Sequence, residues 1–432
     1  MKPGSKRMTW LYSVFPISMA TGPLGTLVAL YLVTLNGNTL GAIYFSLASA
    51  IFNGIGVPAA LFWGYATDRL HSRRGLIALS YALMAVALVS FFFDRTTGGT
   101  ISSYSIISFV SVASATPLNL LIMETEQKSR WAGAFARLSM VSGVGNVAGL
   151  ILSTIWGVEF TPSEEVLLFL PMAAFAVVSA MLALVTIGEP EFVLERETVA
   201  LRKPSLFSRL RANPIFIPKL PEGSDFKRAF RGLQYTLTSY VPLFYISTIL
   251  FYASSGLFNT AIVPAMHLFT LSDGEVYAVI LVGTVVQTIS FQAAGKFFEA
   301  RSLVTTSIQG LLLRGWGYVA LGVAAFLIPS SLFLAPALIF YSISAGVAFA
   351  IYYTSSNTMM FDIAQGKSAG AALGVYSAVV GVASMGGALV SGVISVYLGY
   401  YTTFVLAGVL LFGAVWIVSK LERPTGPVQA PH

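Results

Sequence analysis

Residues 64–76 read GYATDRLHSRRGL, a charged turn set between two long apolar runs. Gly64 has no side chain and lets a neighbouring helix approach closely. Asp68 stands at the end of the first run, where a carboxylate can accept hydrogen bonds from a helix N-terminus whose dipole favours an anion. Arg69, Arg73 and Arg74 crowd the same turn and can reach acids at the ends of other helices, Glu124 foremost.

The flanking runs, 40–66 and 75–93, are each long enough to cross a bilayer, which takes about 20 mostly apolar residues. Twelve such stretches follow one another: 9–35, 40–66, 75–93, 101–123, 132–157, 165–187, 237–263, 274–298, 303–327, 331–356, 369–396 and 399–420. Most connections are short. The exception, 189–236, is charged and Pro-rich; it mixes Arg and Lys with Leu201, Leu206, Phe207, Leu210 and Phe216, the pattern of an amphipathic piece lying on anionic lipid headgroups. The first run follows a basic start but is too long for a signal-peptide core, and we read it as a retained span.

Composition excludes the alternatives. Of 432 residues, 56% are hydrophobic and only 10% are charged, against about a quarter in a soluble domain. The chain has no Cys, and its three His (His71, His267, His432) are widely scattered, so no disulfide, redox thiol or metal site is expected. No cofactor is implied. The formal charge of +7 points to a membrane surface and not to nucleic acid.

Placing the charges tests the span count. With the N-terminus on the cytoplasmic side, 22 of the 25 Lys and Arg fall on that side. Arg95 alone falls outside, and Arg137 and Arg314 lie within spans. This is the positive-inside pattern, which sets orientation; losing or adding one span would invert every later loop. The expectation is a cell-membrane protein with both termini cytoplasmic.

The two halves also resemble each other. At a shift of 238 residues, Glu124 pairs with Asp362, Ser139 with Ser377, Gly143 with Gly381, Gly149 with Gly387 and Ser153 with Ser391, without a gap. The paired stretches are spans 4–5 and 10–11, six spans apart. Parallel repeats of this kind are a mark of secondary transporters.

Here the turn at 64–76 gains a family. It resembles the loop signature of the major facilitator superfamily, Gly-x-x-x-Asp-Arg-x-Gly-Arg-Arg/Lys, with Gly64, Asp68, Arg69 and Arg73 in place, Arg74 directly after them, and the whole in the expected inner loop between spans 2 and 3. His71 stands where the family usually has Gly, and Ser72 where it usually has Arg. The second half keeps only Gly295, Glu299 and Arg301 of the pattern. The resemblance implies an all-α membrane protein: twelve transmembrane helices in two six-helix bundles, 1–188 and 237–432, related by a pseudo-twofold axis and joined by the linker 189–236. It also implies an inner gate built from Gly64, Asp68, Arg69, Arg73, Arg74 and Glu124, with Arg137 and Asp362 beside it. GNVAG at Gly145–Gly149 is a weaker echo of the Gly-Pro-x-x-Gly-Gly of drug-exporting branches; close helix packing explains it equally well.

In that family helices 1, 4, 7 and 10 face a central cavity. The resemblance therefore assigns Tyr12, Thr21, Thr116, Tyr252, Asn259, Tyr341, Tyr352, Tyr353 and Asn357 to a substrate path, with Gln287 and Gln292 from helix 8. Pro16 and Gly22-Pro23 are expected bends in helix 1, and Pro264 the end of helix 7. Arg314 lies near mid-span in helix 9, where a charge is costly; it is either functional or reaching Gln287 or Gln292. No Asp or Glu occupies the middle of any span, so transport without the usual titrating carboxylate is expected, with His267 the one neutral-range candidate.

A membrane enzyme would need clustered catalytic groups inside the membrane, and a pump a GxxxxGK[S/T] loop; the sequence has neither. The leading expectation is a monomeric transporter of a small organic solute, exporter-like for drugs or metabolites. Uptake of sugars or other neutral metabolites is the alternative, and a transporter-derived receptor or scaffold the alternative of another class. Asp68→Asn is expected to impair solute flux while membrane insertion stays normal, measured by flux in vesicles against the amount of inserted protein; unchanged flux would count against the gate.

Overall fold

Inside a bilayer a backbone has no water to bond, so each apolar run satisfies its N–H and C=O groups internally as a helix. The computed structural model describes residues 9–70, 72–125, 131–188, 240–297, 302–363 and 369–421. The basic N-terminus, His71 and the amphipathic linker segment lie outside these residues, as do the side chains of Asp68, Arg69, Glu124 and Asp362.

Twelve helices long enough to span a membrane run through the described residues. A 3-10 turn, Thr9–Ser13, leads into α1, which comprises Val14–Thr21 and, after a break, residues 24–36. The break falls at Gly22-Pro23, as the sequence suggests, because Pro23 has no N–H to donate. Leu24–Leu70 is one hydrogen-bonded run except at Gly37, whose φ of +75° and ψ of 165° suit glycine alone. Gly37 therefore divides α1 from α2 (38–70). There follow α3 (Arg73–Phe93), α4 (Thr97–Thr125), α5 (Trp131–Glu159), α6 (Phe169–Thr186), α7 (Tyr240–Leu268), α8 (Asp273–Phe297) and α9 (Leu303–Leu327). The tenth, α10, is composite: Leu334–Tyr341, a π-helical stretch Ser342–Ala348, and Phe349–Ile363. The last are α11 (Ala369–Leu398) and α12 (Tyr400–Val418). One expectation fails here: Pro264 does not end α7, which continues to Leu268, because neighbouring helices compensate an interior proline in such a bundle.

Local chemistry starts and stops the helices. Ser72 caps α3 by accepting a hydrogen bond from the Gly75 N–H at 3.1 Å, and Ser302 caps α9 through Thr305 N–H at 3.2 Å. Between α3 and α4 the Asp94 carboxylate accepts from the Thr96 hydroxyl at 2.7 Å and its N–H at 3.2 Å. Those bonds hold the Asp94 carboxyl below its ordinary range.

In the first half α3 packs against α4 and α6, α2 against α4, and α1 against α5 and α6. In the second half α9 packs against α12, α7 against α11 and α12, and α8 and α9 against α10. The halves meet along two seams, α2 with α11 and α5 with α8, and where α7 meets the α1–α2 segment. A shift of six helices exchanges the two seams.

The sequence repeat falls on this symmetry. A Cβ on Gly149 would collide with the Met19 carbonyl of α1; one on its repeat partner Gly387 would collide with the Ala253 carbonyl of α7, six helices on. A Cβ on Gly143 would come within 3.1 Å of Thr288 on α8; one on Gly381 would lie 2.6 Å from Val57 on α2. Gly149 and Gly387 thus make equivalent contacts within their own halves, and Gly143 and Gly381 equivalent contacts across the two seams. At Gly149 and Gly387 the helices touch backbone to backbone, which only glycine permits.

Gly149→Leu and Gly387→Leu are each expected to destabilise by about 1–3 kcal/mol or more from overpacking, read as a lowered unfolding midpoint in detergent. Gly98→Ala, with open space around it, is the control that should leave the midpoint unchanged.

Candidate functional site

An even number of spans brings α1 in and takes α12 out at one face, here the terminal face; the α1–α2, α5–α6, α7–α8 and α11–α12 turns lie at the distal face. The two seams between the halves close toward the distal face. A Cβ on Gly157 of α5 would lie 2.7 Å from the Gly274 N of α8, and one on Gly392 of α11 would lie 2.6 Å from Ser46 of α2. Ser46 Oγ donates to the Ala388 carbonyl and accepts from the Gly392 N–H at 3.0 Å. His267 Nδ1 of α7 is hydrogen-bonded to Asn38 Oδ1 at 2.8 Å. Glu165, in the 3-10 turn before α6, is buried against the Asp273 carboxyl of α8.

Toward the terminal face the seams part. Gly143 still faces Thr288, but Ser139 and Gln292, one turn nearer the termini on the same helix faces, are both exposed. The α2–α11 seam behaves alike: Gly381 meets Val57, while Ser377, one turn nearer the termini, is exposed. Ser139 and Ser377 are themselves repeat partners. Both seams are thus packed toward the distal face and carry exposed groups toward the terminal face; the space between the halves on that side is termed the opening.

Several path residues border it. Asn259 of α7 is exposed while Ser255 and Val263, one turn to either side, are buried; Tyr252, on the same face, is partly exposed. Tyr353 and Asn357 share a face of α10, exposed and partly exposed, and the Tyr353 ring lies 5.8 Å from Phe291 of α8, next to Gln292. Thr116 and Gln287 are partly exposed, and the Thr21 hydroxyl is spent on the Ile17 carbonyl at 3.0 Å. Tyr12 is two-thirds exposed at the terminal end of α1. Two residues turn inward instead. Tyr352 is buried and stacks on Phe251 at 3.9 Å; Tyr341 packs over Gly283 of α8.

The gate residues are partly visible. Gly64 is buried, Arg74 exposed, and Arg73 buried with Nη1 donating to the Thr67 carbonyl at 2.8 Å, in the last turn of α2. A cation there satisfies a helix C-terminus. Arg137 is exposed on α5; its expected partner Glu124 and the other gate acids lie outside the described side chains.

Arg314 reaches neither Gln287 nor Gln292. It is 1% exposed, inside the second half, with Nε donating to the Tyr318 hydroxyl at 2.7 Å. The guanidinium carbon lies 4.8 Å from the Phe251 ring centre, 5.0 Å from Phe349 and 5.2 Å from Tyr318. Desolvated cation–π contacts are worth about 2 kcal/mol each. Sequence reasoning named Arg314 but missed Phe251, Phe349, Glu165 and Asp273, since nothing local marks rings or acids that meet across helices far apart in the chain.

Comparison with known proteins agrees with this architecture. No curated protein sequence matches. The crystal structure of a mutant of the nucleoside transporter NupG superposes with a TM-score of 0.72 at 15% identity, covering 97% of this chain and 100% of the other. A POT family transporter in complex with a thioalcohol conjugated peptide gives 0.72 at 13% identity, covering 96% of each. The inward open xylose transporter XylE of E. coli gives 0.67 at 14% identity, covering 97% of this chain and 95% of that one. These likenesses establish the fold. The family model of the Major Facilitator Superfamily matches residues 8–301; over two bundles related by a glycine repeat, with the charged turn between α2 and α3, the chain belongs to that superfamily.

Proposed function

We propose that the protein is a secondary transporter that moves a small organic solute by alternating access, with this structure as the state open at the terminal face. The observation that carries the reading is the parting of both seams at one level, between Gly143/Thr288 and Ser139/Gln292 and between Gly381/Val57 and Ser377. Rocking one half against the other about Gly143 and Gly381 would close this end and open the distal one.

The terminal face is cytoplasmic on the charge count. In the naturally Cys-free chain, Ser419→Cys is expected to resist a membrane-impermeant thiol reagent on intact cells, while Ser330→Cys, in the α9–α10 turn, reacts. The reverse pattern would turn the protein over.

We take export as the working direction, on the echo at Gly145–Gly149. Gly145 and Gly149 seat α5 on the Phe15 and Met19 carbonyls of α1, so the echo also has a packing role. The exposed or partly exposed amide, hydroxyl and aromatic groups of Asn259, Tyr252, Tyr353 and Asn357 suit a polar or amphipathic solute. Bridging Asn38→Cys with His267→Cys by a short bifunctional thiol reagent is expected to stop flux, with recovery on reduction. Flux that survives the bridge would argue against distal opening.

A further inference from the structure

An arginine cannot shed its proton in a protein, so Arg314 carries a full charge 1% exposed within the membrane-spanning bundle. It stands 11 residues beyond Leu303, about 16 Å along α9. Among the described residues of the second half no acid stands at that level. The sequences of α7, α9, α11 and α12 contain no Asp or Glu, α8 has its two acids in the first turn, and Asp362 of α10 is 13 residues, about 20 Å, beyond Phe349. Rings cover the guanidinium and Tyr318 takes Nε, but Nη1 is buried without a hydrogen-bond partner. Buried donors are rarely left so, and one that is calls for an explanation.

We propose that Arg314 is the subsite for the anionic group of the carried solute, which makes the solute class a small organic acid bound through its carboxylate. The inference rests on the carrier reading above and adds the chemistry of the cargo. A guanidinium fork matches a carboxylate in charge and geometry, and the surrounding rings suit the apolar part of such a molecule.

Phe349 is the partition between this subsite and the opening. Its ring lies 5.0 Å from the guanidinium carbon and 5.4 Å from the Tyr353 ring, and Tyr353 is 38% exposed. The π-helical stretch Ser342–Ala348 runs directly up to Phe349. Such stretches hold an extra residue per turn and recur at functional sites. Within it the Ser342 hydroxyl is buried and also unpartnered. Return of this turn to α-helical pitch rotates Phe349 off the guanidinium and joins Nη1 to the edge of the opening at Tyr353.

The test uses matched pairs on the full chain: acetate, succinate and benzoate against acetamide, succinamide and benzamide. Thermal unfolding of the purified protein is followed with each, and labelled solutes are followed into proteoliposomes. At least one acid is expected to raise the unfolding midpoint progressively with concentration and to be carried, while its amide at equal concentration does neither. Arg314→Gln should abolish the difference, and Arg314→Lys should need at least tenfold more acid. Phe349→Trp, which keeps the charge and enlarges the partition, should lose the response too, and decides the matter if Arg314→Gln does not fold. No response to any acid, equal response to acid and amide, or an unchanged acid response in Arg314→Gln or Phe349→Trp would overturn the proposal. Amides carried equally by wild type and Arg314→Gln would overturn it while leaving the carrier reading intact; no flux of either set would count against both.

Discussion

Backbone contact between α1 and α5, and between α7 and α11, is the constraint on which the rest of the molecule depends. In lipid, helices gain little from hiding apolar surface from one another, so association falls to close packing and hydrogen bonds. Gly149 against the Met19 carbonyl and Gly387 against the Ala253 carbonyl supply that packing at equivalent points of the two halves. Serines reinforce it: Ser18 and Ser142 share a hydrogen bond of 2.8 Å between α1 and α5, and Ser391 donates to the Leu257 carbonyl at 2.7 Å between α11 and α7. Each half is thereby a stiff unit, and relative motion is left to the seams between them.

The seams differ in kind from the contacts within a half. Along α5–α8 and α2–α11, glycine meets a side chain as often as backbone: Gly143 faces Thr288, Gly54 faces Met385, and Gly381 faces Val57. Flexible or rotatable groups at these points accept small changes in helix angle. The distal end is tied more specifically, through His267 with Asn38 and Ser46 with the α11 backbone. Two closely packed halves, side-chain contacts along the seams and polar bonds at one end suit the alternating-access cycle proposed above.

Much of this was legible in the sequence. Spans of about 20 apolar residues, the bias of Lys and Arg to one side and the turn at 64–76 led to twelve helices and a family, and the glycine repeat led to the symmetry. Gly22-Pro23 marks a break that the sequence announces, whereas the break at Gly37 shows only in its backbone angles. Where the expectations missed, a neighbour outweighed a local rule. Pro264 did not end α7, because packing around it keeps the helix going to Leu268. Tyr352 and Tyr341 turned into the second half and not toward the opening, since a helix that faces a cavity still presents most of its circumference to other helices.

The sequence by itself determined what depends on the chain's own solvent and charges: membrane residence, the number of spans, their expected orientation and the internal repeat. These follow from transfer energies and periodicity, which add residue by residue. Only the tertiary structure decided which helices pack at the distal ends of the seams, and that Arg314 is caged by Phe251, Phe349 and Tyr318 with one nitrogen unpaired. Both facts arise from contacts between helices far apart in sequence, where the partner is set by geometry and leaves no mark on either strip of chain alone.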